Sequence, residues 1–461
     1  MFSKSTIHFD ISERKILLRI FDVLFVLLFL SVLSFVFNFG YGKLLVLNIL
    51  PAIILGFYLN IFGTIFEMYN LQTAANQLSS IKSIVLTTLF SSFFYLFTPI
   101  FTPSLPDNRL QIIYFTGAVF LGLLVWRLIY IYFLASDKFV KKVVFICEDT
   151  ALETLVNDLI VADNHYLVEG FVNTNAYQTT PHNYTNIPND DLVSFCIDKN
   201  VSEIIIAINP DNQLDTKIYE SILSCLENGM PIKEYSDVFE QCINRIPVHH
   251  LDKDFYKYFP FSRNNQNKVY RFVIRFFDIF AAFLGLLFLG ILIPFIWFGN
   301  LFGDRGQLFY TQKRVGKNRK PFKIYKFRSM IADAEKNGAV FATENDSRVT
   351  PFGKFLRKSR LDEIPQFINV FKGEMSVIGP RPERPIFVDE ITKMMPFYQT
   401  RHIIKPGLTG WAQVSYPYGS TLDDSLVKLQ YDLFYIKHRS LFLDVNIILK
   451  TIGTVLFYKG Q

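Results

Sequence analysis

The stretch SRLDEIPQFINVFKGEMSVIGPRPERP, residues 359–385, joins an aspartate and a glutamate directly, then sets an arginine between two prolines. Leu361, Ile364, Phe367, Ile368 and Phe371 recur at helical spacing, and Pro365 fits such a helix only in its first turn. The spacing therefore predicts a helix beginning near residues 360–363. Asp362 would sit at its N-terminus, where free amides and the helix dipole stabilise a carboxylate or a phosphate. An ionised aspartate is a competent nucleophile toward phosphorus and needs no general base. Glu363, a fraction of a turn away, suits Mg²⁺, which takes one or two carboxylates and completes its shell with water and substrate phosphates. The plain alternative for such a pair is a helix cap and a solvated charge.

Arg381 changes that balance. Pro380 and Pro382 restrict its backbone, and a guanidinium is the best two-pronged partner for a phosphate. Upstream, YTQKRVGKNRKPFKIYKFRSM (310–330) interleaves eight Lys and Arg residues with aromatics, which suits an anionic membrane surface or a diphosphate.

The elements that must position these residues are those of a membrane protein. Half of the 461 residues are hydrophobic, 49 of them Phe. Apolar runs at about 17–39, 44–66, 83–101 and 110–135 each approach the ~20 residues needed to cross a bilayer core, which predicts four spanning helices within 1–140. Lys4, Arg14, Lys15 and Arg19 precede the first run and Lys138, Lys141 and Lys142 follow the fourth, placing both ends in the cytoplasm. The first run is too long for a cleaved leader and reads as an anchor. A net charge of +6 is modest, and nucleic-acid binding has little support.

Over 141–255 the runs KVVFI, LVEGFV and EIIIAIN alternate with helical segments, which predicts a cytosolic, Rossmann-like α/β domain. The turn after KVVFI reads CEDTALE and lacks the glycines of a pyrophosphate site. Cys147, Cys196, Cys225 and Cys242 all fall in this segment without a CxxC pair, as reduced structural thiols would. A linker and a fifth apolar run occupy 256–305. Arg271 and Arg275 stand before the run and Arg305, Lys313 and Arg314 after it, so both ends read as cytoplasmic. Pro294 inside it would let a helix-break-helix enter the membrane and return, the rival being a fifth span with a tolerated kink. Residues 306–461 form the remaining, helix-rich α/β catalytic domain, anchored by that re-entrant helix.

GQLFYTQKRVGKNRKPFKIYKFRSM, RVTPFGKFLRKSRLDEIPQFINVFKGEMSVIGPRPERP and KPGLTGWAQV resemble the bacterial sugar transferase family, the monotopic polyprenol-phosphate phosphoglycosyl transferases, from about residue 270 onward. With four spans and an α/β domain in front, the chain is similar to the large undecaprenyl-phosphate glucose or galactose phosphotransferases that begin exopolysaccharide, capsule or O-antigen assembly. The resemblance implies that Asp362 attacks the β-phosphate of a UDP-sugar, releases UMP and carries a phosphosugar until undecaprenyl phosphate takes it. It further implies Glu363 as the Mg²⁺ ligand, Arg357 and Arg381 as phosphate-binding residues, and Lys326 and Arg328 in a basic motif near the nucleotide. The implied setting is the cytoplasmic face of a bacterial inner membrane, among membrane lipid, as a homodimer. Two departures from the family pattern stand out: Arg360 replaces the usual Ser or Thr, and GDRGQLFY replaces SPGPVFY.

A membrane-anchored NAD-dependent nucleotide-sugar dehydratase or epimerase would also place an α/β domain after four spans. It fails here on the missing GxGxxG and on the absence of a tyrosine followed four positions later by lysine. A non-catalytic scaffold is disfavoured by the intact LDE and PRP motifs. His402, His249 and His250 lack complementary ligand spacing, and Trp411 reads as a core aromatic. The sugar is not legible.

Overall fold

The computed structural model describes residues 11–36, 49–75, 77–98, 102–105, 108–134, 140–163, 165–174, 184–208, 215–247, 263–301, 306–331, 334, 346–416 and 421–456. It divides into two compact units, Met1–Ile243 and Asn244–Gln461.

In the first unit all four apolar runs are helical: α1 (Ile11–Val36), α2 (Ile49–Ile65), α3 (Gln77–Leu96) and α4 (Leu110–Ile129). By length and composition Ser12–Val36, Ser79–Leu96 and Leu110–Phe133 suffice to cross a membrane, whereas α2 is a shorter apolar helix of 17 residues. α1 shows Ile16, Ile20, Leu24, Leu28 and Val32 to the outside and buries Leu18, Val26 and Leu30. Gly122 of α4 lies so close to α1 that a Cβ there would fall 2.8 Å from Val26 Cα, the small-residue contact by which membrane helices approach. Asp22 of α1 and Arg127 of α4, both buried, pair at 3.4 Å.

Five parallel strands follow, β1 (Lys141–Cys147), β2 (Tyr166–Asn173), β3 (Thr185–Asn186), β4 (Glu203–Ala207) and β5 (Ile232–Glu234), in the order β3-β2-β1-β4-β5. Alternate residues of β1 feed opposite faces, as the two-residue period of a strand requires. Val143, Phe145 and Cys147 join α5 (Leu152–Ala162) and α8 (Tyr235–Ile243), while Val144 and Ile146 join α6 (Leu192–Asp198) and α7 (Thr216–Glu227). Continuous burial along β1 is what a parallel sheet covered on both faces demands. The four cysteines are free thiols. Arg14, at the start of α1, bonds Asp163 at 2.5 Å and so ties the membrane helices to this domain.

The second unit opens on α9 (Lys268–Leu301), 34 residues that remain helical through Pro294. The break expected at that proline is absent. Leu289 before it and Ile296 after it are held in one apolar cluster with Phe327 and Leu356, so packing maintains the helix where one backbone bond is lost. Asp278, Ala282, Gly285, Leu289 and Ile296 make a buried stripe, while Phe276, Phe280, Phe283, Leu287, Phe295 and Phe298 face outward.

Against the buried stripe lie the hairpin β6 (Phe309–Val315) and β7 (Pro321–Phe327), α10 (Pro351–Lys358), a 3₁₀ turn Leu361–Gln366 and α11 (Phe367–Lys372). The parallel pair β8 (Ser376–Ile378) and β9 (Gly407–Thr409), α12 (Pro385–Met394), α13 (Leu422–His438) and α14 (Leu441–Leu456) complete the unit. Trp411 is buried in this core and donates to the Asn244 carbonyl at 2.8 Å, as a structural aromatic should. His249 and His250 lie outside the described residues.

Candidate active site

Asp362 and Glu363 stand in the 3₁₀ turn, not in an α-helix. Pro365 cannot donate the bond an α-helical turn would need, so the chain winds more tightly until α11 starts at Phe367. The expected support from an α-helix dipole is therefore minor, and side-chain cations take its place. α10, capped by Thr350 Oγ1 accepting from Gly353 N at 2.9 Å, brings Arg357 to its last turn. Arg360 then reverses the chain in a left-handed conformation (φ 58°), a state costing an L-residue ~1–2 kcal/mol.

Glu363 is the better neutralised carboxylate. Its Oε1 accepts from Lys326 Nζ and from Arg381 Nη2, each at 2.8 Å, and Arg360 Nη1 lies 3.6 Å from its Oε2. Burial would raise its pKa, but Arg381, Lys326 and Arg360 hold it well below the usual carboxylate range. Asp362, with 8% of its side chain exposed, has Lys326 at 4.0 Å and makes no side-chain hydrogen bond among the described residues. Burial and the neighbouring Glu363 push its pKa up, against the pull of Lys326, Arg357 and Arg381. The pair thus splits into a fixed anion and a carboxylate whose lone pairs are uncommitted.

Arg381 owes its position to more than its prolines. Four successive carbonyls of its loop accept bonds: Pro380 O from Gly407 N (2.9 Å), Arg381 O from Arg401 Nη2 (3.0 Å), Pro382 O from Arg314 Nη1 (3.1 Å) and Glu383 O from Val315 N (2.9 Å). Arg401 is itself buried and paired with Asp432 of α13 at 2.7 Å. Asn369 ties β7 to α11, accepting from Tyr325 N at 3.1 Å and donating to Lys323 O at 2.7 Å, which keeps Lys326 beside the carboxylates. Arg401, Asp432 and Asn369 escaped the sequence reading. For Asn369 the signal available was a polar residue inside the apolar run FINVF.

Lys326, Asp362, Glu363 and Arg381 therefore converge, with Arg357 close enough to act on Asp362 by its charge. Arg328 reaches elsewhere, to Asn300 Oδ1 at 3.4 Å near the end of α9. His402 is buried and pushed down to about 3 by that burial and by Arg401, so it is neutral. The described residues contain no cluster of three or more metal-ligating side chains. Glu363 Oε2, beyond hydrogen-bond distance of Arg360, retains coordinating capacity, which fits a cation held mainly by phosphate and water.

Comparison with known proteins matches the same part of the chain. A sequence model described as "Bacterial sugar transferase" matches residues 269–458. A Bacillus subtilis protein, provisionally named as an undecaprenyl-phosphate N-acetylgalactosaminyl 1-phosphate transferase, is 45% identical over 144 residues, which are 31% of this chain and 79% of that protein. The chain belongs to the bacterial sugar transferase family. Its membership is carried by the unit containing Asp362. An Aeromonas hydrophila UDP-N-acetylgalactosamine-undecaprenyl-phosphate N-acetylgalactosaminephosphotransferase is 39% identical over 255 residues, 55% of this chain and 59% of that protein. A Xanthomonas campestris pv. campestris UDP-glucose:undecaprenyl-phosphate glucose-1-phosphate transferase is 34% identical over 287 residues, 59% of this chain and 56% of that protein. The match thus spans little more than half the length of these two relatives.

Proposed function

We propose that this protein transfers a sugar 1-phosphate from a UDP-sugar to undecaprenyl phosphate by double displacement at Asp362. The observation that carries the reading is the unequal carboxylate pair: Glu363 is locked by Lys326 and Arg381, while Asp362 is buried beside the same cations with its oxygens uncommitted. An Asp362 oxygen attacks the β-phosphorus, the bond from that phosphorus to the bridging oxygen breaks, and UMP leaves with the electron pair. A phosphate oxygen of undecaprenyl phosphate then attacks the same phosphorus and restores the carboxylate. Lys326, Arg357 and Arg381 hold the negative oxygens as charge builds on them, with Arg381 kept rigid by its four anchored carbonyls. Mg²⁺, with Glu363 as its protein ligand, would neutralise charge on the departing phosphate.

The relatives' names include N-acetylgalactosamine, glucose and galactose, and these three are the candidate sugars of this reading. The product would begin a surface polysaccharide.

We also read α9 as entering the membrane without crossing it. From Arg275 to Asn300 the helix runs about 37 Å, more than the ~30 Å hydrocarbon core. Yet the same polar domain grips both ends, through Arg275 to the Val370 and Phe371 carbonyls and through Gly299 packed on Phe352. A perpendicular crossing would drag that domain through the bilayer. The catalytic unit would then work at the cytoplasmic face of the inner membrane, and the parallel sheet, whose strand order supports a Rossmann-like reading, would be dispensable for the chemistry. The homodimer stays a proposal for sedimentation in detergent. Transfer of label from a UDP-sugar carrying ³²P in its β-phosphate to an organic-extractable undecaprenyl diphosphate sugar tests the function, and absence of transfer from all three sugars would sink it.

A further inference from the structure

Arg360 is not explained by the reaction as written. It holds a left-handed backbone conformation that arginine rarely adopts, directly before Leu361-Asp362-Glu363. Its amide donates to Arg357 O at 3.1 Å and its carbonyl accepts from Glu363 N at 3.2 Å, so the strained residue is fastened on both sides. That backbone turn carries the side chain back over the turn it precedes, with Nη1 3.6 Å from Glu363 Oε2. The two oxygens of Glu363 are consequently unlike. Oε1 is hydrogen-bonded to Lys326 and Arg381, whereas Oε2 faces one guanidinium, 30% exposed, at ion-pair distance.

Oε2 is also the oxygen left for a divalent cation. A divalent cation on Oε2 would lie close to the Arg360 guanidinium, on a carboxylate whose other oxygen already holds two cations, so repulsion makes Arg360 and an arriving metal competitors there. A displaced Arg360 would stay tethered within reach of whatever oxygens the metal brings with it, and a guanidinium binds phosphate well.

We propose that Arg360 is a positioning residue that occupies Glu363 Oε2 when the metal is absent and turns to the diphosphate of the UDP-sugar when the metal takes that oxygen. The inference rests on the reading of Asp362 and Glu363 as a phosphoglycosyl transfer site. It makes metal binding and nucleotide-sugar binding cooperative: the metal must displace Arg360, and the diphosphate compensates by receiving it.

The test uses the full chain in detergent. Arg360→Gly suits the left-handed backbone, so the turn should persist and the thermal midpoint should not fall. Mn²⁺, titrated without UDP-sugar and followed by its free-ion EPR signal, should bind the Gly variant about threefold more tightly, the size expected for losing a competing part-exposed cation. With metal saturating, the KM for UDP-sugar should rise about tenfold while kcat changes little, because a charge-assisted phosphate contact is lost. Arg360→Lys, which keeps the charge, should restore the wild-type Mn²⁺ affinity. Equal or weaker Mn²⁺ binding by the Gly variant would overturn the inference, as would an unchanged KM. Failure of the wild-type protein to turn over any UDP-sugar would instead remove the underlying functional reading, since the Mn²⁺ titration does not depend on turnover.

Discussion

Lys326 Nζ and Asp362 Oδ2 stand 4.0 Å apart, within ion-pair range but outside hydrogen-bond distance, while the same ammonium bonds Glu363 at 2.8 Å. One cation thereby favours the ionised form of Asp362 without occupying its lone pairs.

Replacing that cation has a defined sign. Burial already raises the pKa of Asp362 above the ordinary aspartate value, and Lys326 opposes this. Without Lys326 the carboxyl should rise further, so the acid limb of kcat/KM in Lys326→Gln is expected to shift to higher pH. At its new optimum the variant should remain about 10²-fold slower, the usual loss when one preorganised charge partner is removed. An acid limb at the wild-type position would show that Lys326 does not govern Asp362.

Two glycines of α9 separate packing against the catalytic unit from exposure to lipid. A Cβ on Gly285 would lie 2.3 Å from the Phe367 ring, at the start of the helix that follows the Asp362 turn, while a Cβ on Gly290 meets nothing within 4 Å. Gly285→Ala is expected to destabilise by ~1–3 kcal/mol and to lower kcat by displacing Phe367. Gly290→Ala should be neutral or stabilising, since alanine is the better helix former by ~1 kcal/mol. Thermal midpoints in detergent compare the pair, and equal losses would mean that α9 does not dock as described.

The side of the membrane reached after α9 can be read by labelling. In Lys199→Cys and Lys320→Cys, both at exposed positions, a membrane-impermeant maleimide is expected to react only after the cytoplasmic face is opened. Native Cys147, Cys196 and Cys225 are buried and should contribute little background. Reaction of the Lys320 variant from the outer face, with the Lys199 variant protected, would establish α9 as a true span.

Much of this architecture was readable from residue types because hydrophobic period is local: the apolar runs became helices, and the KVVFI, LVEGFV and EIIIAIN runs became neighbouring parallel strands. Asp362 and Glu363 were singled out for another reason, as an acidic pair at the start of a helical spacing, and Arg381 for its two flanking prolines, while Lys326 was implied by the resemblance of its basic motif. What escaped depends on contacts between distant residues. Arg401 and Asp432 meet across 31 positions to hold Arg381, and no spacing rule announces such a pair. The 3₁₀ winding at Pro365 and the unbroken helix at Pro294 show one residue type resolved oppositely by its surroundings. Both prolines lie beside one apolar cluster, but at Pro365 the chain is only starting to wind, whereas at Pro294 helix is already formed on both sides.

The most direct measurement follows UMP released from UDP-glucose, UDP-galactose and UDP-N-acetylgalactosamine by purified full-length protein with Mg²⁺ and no undecaprenyl phosphate. Double displacement at Asp362 requires a burst approaching one UMP per active site for the accepted sugar, with the label from the β-phosphate remaining on the protein. Asp362→Asn should abolish the burst with an unchanged thermal midpoint. A variant that turns over at near the wild-type rate, after deamidation has been excluded by mass, or a wild-type protein that releases UMP only once the lipid phosphate is added, would contradict the covalent intermediate and favour direct transfer in a ternary complex.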